Sequence, residues 1–104
     1  MSRYAVLSTD EFGRDLDSAV AYYLEASGQK SATQLLDEYD KMRDYLAELP
    51  GYGANVHGLP YRWRPLKSFV AVYAVDEAAE TVTLIRLFHM RSNWKAHLLD
   101  SAPS

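Results

Sequence analysis

The order of hydrophobic periods along the chain predicts an α+β fold with the element order β-α-α-β-β-β-α. Two amphipathic stripes of helical period, separated by a short break, give a helical hairpin. Three later runs of strand length, bounded by Pro, Gly and polar turns, give a sheet. Size agrees: 104 residues, 48% hydrophobic and 24% charged, suit one domain spanning 1–104 with an ordinary core. A hairpin laid on one face of a sheet makes two layers.

Each element has a local reason. Tyr4-Ala5-Val6-Leu7 is an apolar run of strand length. Ser8 and Glu11 form a capping-box pattern, which starts a helix. Phe12, Leu16, Ala19, Val20, Tyr23 and Leu24 recur at helical spacing, and Gly28 is the natural stop. A second stripe runs through Ala32, Leu35, Leu36, Tyr39, Met42, Leu46 and Leu49, and must end by Pro50. About 2–4 residues join the stripes, so the helices are antiparallel neighbours. Gly51 to Gly58 reads as a loop. Its Gly-x-Gly lacks the strand and helix that a phosphate cradle needs.

Tyr61-Arg62-Trp63-Arg64, between Pro60 and Pro65, reads as an edge strand. Phe69 to Val75 is almost wholly apolar and therefore central. Asp76 to Glu80 is a polar turn, and Thr81 to Phe88 returns as the partner strand. Ser92 or Asn93 can cap a last helix carrying Trp94 and Leu98. A helical hairpin reverses the chain twice, and the last three strands form a meander. The expected sheet is antiparallel, with the four strands in the order 1-4-3-2.

Strand parity then divides the side chains. With Tyr61, Trp63, Ile85 and Leu87 turned to the helices, Arg62, Arg64 and Arg86 collect on the uncovered face. Lys67, Arg91 and Lys95 lie near its rim. Such a surface suits an acidic partner.

Several classes are excluded. The chain has no cysteine, which removes disulfides, thiolate metal sites and cysteine nucleophiles and fits a cytoplasmic location. His57, His89 and His97 show no metal-ligand spacing, so no metal or other cofactor is expected. Met1 to Asp10 does not read as a secretory signal, and no apolar run would span a membrane. Net charge is −3, against indiscriminate nucleic-acid binding. The charge is uneven: residues 1–49 hold 5 Lys/Arg against 10 Asp/Glu, and residues 50–104 hold 6 against 4.

Leu59-Pro60-Tyr61-Arg62, Ser68 to Asp76, Val82 to His89 and Arg91 resemble the RelE/ParE toxin family of bacterial type II toxin–antitoxin and plasmid-stabilisation modules. Asp15-Leu16 and Ala21-Tyr22-Tyr23 match a run on that family's first helix, and the resemblance extends over residues 4 to 99. It implies the RelE-like fold, a cognate antitoxin as partner in a hetero-oligomer, and one of two activities. ParE-like members poison DNA gyrase through a bound surface and are not known to be enzymes. RelE-like members are ribosome-dependent endoribonucleases, mRNA interferases, for which His89, Arg62, Arg64 and Arg91 stand at the positions of catalytic groups. Members of the nuclease branch often carry a cation before the central apolar strand and a tyrosine near the C-terminus. Here those places hold Phe69-Val70-Ala71 and Trp94. The ParE-like reading is therefore preferred, with Arg62, Arg64, Lys67, Arg86, Arg91 and Trp94 as the surface for target or antitoxin. The alternatives are the ribosome-dependent nuclease and a diverged, non-toxic interaction domain on the same fold.

Overall fold

A computed structural model describes residues 3–101; the ends of the expected domain, 1–2 and 102–104, lie outside the described residues. Its elements are β1 (Ala5–Ser8), α1 (Asp10–Ser27), α2 (Gln29–Glu48), β2 (Ala54–Asn55), β3 (Arg62–Leu66), β4 (Phe69–Asp76), β5 (Thr81–His89) and α3 (Trp94–Ser101). The helix start shifts by one residue from the expected cap. Ser8 is still paired in the sheet, so Thr9 caps α1 and its hydroxyl accepts the Phe12 N–H at 3.0 Å. Gly28 alone joins α1 to α2, at φ 92°, a conformation that side chains disfavour. Asn93 takes the first position before α3, where its carbonyl accepts the His97 N–H.

The sheet order is β1-β5-β4-β3-β2. The four expected strands hold their expected order, with β2 added outside them. Their directions differ from the expected antiparallel sheet, because β1 and β5 pair in parallel. The cause is β2, which lies inside the stretch read as a loop. The chain leaves the hairpin as β2 and then turns back as β3, antiparallel to it. This extra reversal flips the meander, so β5 arrives parallel to β1.

Two cores follow, one on each face. Phe12, Leu35, Leu46, Ala71, Tyr73, Val82 and Leu84 fill the space between sheet and hairpin. On the other face Val56, Val70, Val72, Phe88, Trp94 and Leu98 form a second cluster, with Leu59, Tyr61 and Trp63 against it. Helix α3 therefore covers part of the face expected to be open. That covering reverses the expected parity of β3: Trp63 joins α3, whereas Leu66, Arg64 and Arg62 share the hairpin side. On β5 a bulge intervenes. Tyr73 pairs with Leu84 and Val72 with Arg86, which leaves Ile85 unpaired, half-buried and in neither core.

Candidate functional site

The expected cluster of three arginines on one open face does not form. Two of them are committed elsewhere. Arg62 donates from Nη1 to the Gly53 carbonyl at 2.8 Å and to Gly51 at 3.4 Å, tying the β2 segment to the sheet. Arg86 makes a two-pronged pair with Asp15 of α1, Nε to Oδ2 at 2.7 Å and Nη2 to Oδ1 at 3.3 Å. The hydrogen bond that Arg86 donates to Asp15 holds the guanidinium above its usual range. Asp15 Oδ2 also accepts the Leu87 N–H at 3.0 Å, where β1 has ended and β5 would otherwise expose its edge. The Thr9 hydroxyl donates to the Ile85 carbonyl on the same stretch, at 2.8 Å. Side chains of the α1 entry thus replace the missing strand.

Among the described residues Arg64 makes no side-chain hydrogen bond or ion pair. Its guanidinium carbon lies 4.0 Å from the centre of the Tyr52 ring, and Tyr52 meets Tyr45 edge-on at 5.6 Å. Lys67 follows in the two-residue turn between β3 and β4, at φ 54°. Its ammonium donates to Gln34 Oε1 at 3.4 Å and lies 5.2 Å from the centre of the Tyr23 ring. Arg64 and Lys67 line a groove of about 190 Å³ between α2 and β3, with Met42, Leu46 and Leu66 as apolar lining. Tyr45 and Tyr52 are the groove residues that sequence reasoning missed. The available signal is an aromatic residue lying off the buried stripe of α2, which is how Tyr45 comes to be exposed.

His89 stands in an aromatic cluster, with Phe69 at 5.1 Å and Tyr22 at 5.7 Å between ring centres. Its Nδ1 accepts the Arg91 backbone N–H at 3.2 Å. His89 packs on α1, whereas Arg64 faces α2; among the described residues no hydrogen bond joins His89 to Arg62 or Arg64. The Arg91 side chain is exposed. Trp94, expected on the contact surface, is 9% exposed and meets Trp63 at 5.7 Å. It fastens α3 to the sheet. The free side of the C-terminal segment instead shows Met90, Arg91, Lys95 and Leu99, with Leu99 59% exposed. Among the described residues no three His, Asp or Glu side chains gather as metal ligands. No helix there is long and apolar enough to cross a membrane.

This architecture is that of RelE/ParE-type toxins. The fold matches that of a chain from the chromosomal ParDE toxin–antitoxin system of P. aeruginosa, with TM-score 0.70 and 17% identity over 86% of this chain and 98% of that one. A chain of the toxin–antitoxin complex RelBE2 from Mycobacterium tuberculosis matches with TM-score 0.58 and 19% identity, over 84% of this chain and 98% of that one. The chain has no significant match among curated protein sequences. The profile of the family described as ParE toxin of type II toxin-antitoxin system, parDE, matches residues 6–94. The chain belongs to that family.

Proposed function

We propose that the protein is the toxin of a two-component module, held inactive by a cognate antitoxin and acting on DNA gyrase through a bound surface rather than by cutting RNA. Membership of the ParE toxin family supports the toxin role, and the structural relatives, both from toxin–antitoxin systems, support an antitoxin partner. The observation that carries the non-nucleolytic reading is the separate employment of the candidate catalytic groups. Metal-free RNA cleavage needs a base, a proton donor and cations converging on one phosphate. Here Arg62 is spent on two carbonyls, His89 has one nitrogen occupied by a backbone N–H, and Arg91 belongs to an exposed turn.

The target surface is the outer side of the C-terminal segment. Lys95 and Leu99 are four residues apart on α3 and both exposed, and Met90 and Arg91 precede them. Arg91 and Lys95 supply charge around an apolar contact, the pattern of a small binding hot spot. Trp94 acts by holding α3 in place.

The test is inhibition of supercoiling by purified protein. Leu99→Asp and Arg91→Glu should each raise the half-inhibitory concentration by about tenfold or more, the effect of about 1.4 kcal/mol at an interface. His89→Gln should leave it unchanged. Loss of toxicity with His89→Gln, accompanied by loss of mRNA cleavage, would replace this reading with the nuclease one.

A further inference from the structure

We infer that Arg86, clamped by Asp15, is a positioning residue that fixes how α3 lies on the sheet and so which side chains it presents. The role rests on the proposed target surface, Met90, Arg91, Lys95 and Leu99, and names what keeps that surface in register.

Helix α3 has eight residues, Trp94–Ser101, too few to stay helical in water without packing. Its orientation therefore depends on the side chains beneath it. Trp94 and Leu98 are buried in the smaller core, and Trp94 meets Trp63 of β3 at 5.7 Å. A helix pinned along one line can still roll about it. Such a roll would turn Lys95 and Leu99 away from their outward setting. A second hold comes from β5. The His97 ring lies nearly parallel to Phe88, at 17° with 6.3 Å between ring centres. Trp94 and His97, three residues apart, stand side by side on the helix, one against β3 and the other against β5. Two strands thereby fix the roll.

Phe88 is in turn placed by Arg86, whose guanidinium carbon lies 4.8 Å from the centre of its ring. Arg86 is held on its other side. Its Nε and Nη2 engage both carboxylate oxygens of Asp15, and Asp15 Oδ2 also accepts the Leu87 N–H. The two side chains are 27% and 19% exposed, so the pair is stronger than one held in open solvent. With these donors spent, Arg86 acts through Phe88 rather than by meeting a partner. The bulge belongs to the same device. Ile85, as the extra residue, brings Arg86 opposite Val72 on the face that α3 covers. Without it, alternation would turn the side chain at 86 towards the hairpin. Contacts thus run unbroken from Asp15 on α1, through Arg86 and Phe88, to His97 on α3.

The experiment combines hydrogen exchange with supercoiling inhibition on the purified full chain. Arg86→Lys keeps the charge and loses the planar fork. It should speed exchange in α3 about tenfold, leave α2 at its wild-type rate, and raise the half-inhibitory concentration about three- to tenfold. Asp15→Asn should do the same, and the double variant should be no worse than either single one. His97→Ala, at an exposed position, should reproduce both effects without lowering the melting temperature. His97→Phe, which keeps a flat ring on Phe88, should restore wild-type behaviour. A residue that only stabilised the fold would speed exchange in α2 and α3 alike, and that result overturns the assignment. So does an Arg86→Lys protein with wild-type exchange in α3, or one with faster exchange there and unchanged inhibition. If Arg86→Lys fails to fold, the two His97 variants carry the test on the same terms. A wild-type chain that does not inhibit supercoiling overturns the gyrase reading, and the exchange comparison still decides the positioning role.

Discussion

Tyr73 joins the central strand to the loop before β3. Its side chain is fully buried, its hydroxyl accepts the Gly53 N–H at 2.6 Å, and it donates to the Pro50 carbonyl at 3.1 Å. The segment that contains β2 is thereby anchored to the central strand. Gly53 is needed there for space: a Cβ would come within 2.6 Å of both the Trp63 carbonyl and the Tyr73 hydroxyl. Tyr73→Phe leaves a buried N–H without its acceptor and should cost about 1–3 kcal/mol in chemical denaturation. Burial pushes the hydroxyl above its ordinary pKa of 10.0, partly opposed by the Gly53 hydrogen bond and by Arg62 and Arg64. The unfolded chain therefore ionises first as pH rises. The stability associated with the neutral hydroxyl is complete below about pH 10 and is lost above it as pH climbs through the folded-state value. Stability measured from about pH 8 to 11.5 should fall less steeply in Tyr73→Phe than in wild type, and equal slopes would deny Tyr73 this role.

At the scale of elements, the hairpin turns on one residue. Gly28 sits at φ 92° and ψ −178°, a region open to glycine and hardly to anything else. Gly28→Ala should destabilise the protein by about 1–3 kcal/mol. Gly13, inside α1, has open space where an added methyl group would sit, and Gly13→Ala should stabilise the protein by about 0.5–1 kcal/mol. Opposite signs at these two glycines, one inside α1 and one at its end, read from urea midpoints, check the backbone argument. The helices were legible because their apolar stripes and the Gly28 and Pro50 stops are local signals. The central strand was legible because its run is apolar on both sides. β2 was not, since two residues, Ala54 and Asn55, carry no period at all; missing it reversed the inferred direction of β5. The arginines were misplaced for a related reason. Alternation tells which side chains share a face, and it cannot tell that α3 returns to cover the second face and draw Trp63 towards it. The bulge at Ile85 broke the count on β5 as well. The pairing of Arg86 with Asp15, 71 positions away, is invisible to any local pattern.

The whole molecule divides its labour by face. The hairpin brings most of the acidic residues, and its packing against the sheet supplies the larger core. The smaller core under α3 supports a C-terminal segment whose outer side, with Met90 and Leu99, is exposed. A net charge of −3, with the cations of the second half partly paired internally, is ill-suited to docking on a highly anionic ribosome and tolerable for a protein target. On the proposed reading, toxicity comes from binding gyrase and requires no RNA cleavage. The most direct measurement induces the chain without its antitoxin and follows plasmid topology and the 5′ ends of abundant mRNAs in the same culture. Gyrase poisoning predicts relaxed or broken plasmid DNA within the first division, with mRNA ends unchanged. New mRNA ends within translated codons, appearing while plasmid supercoiling stays intact, would contradict it.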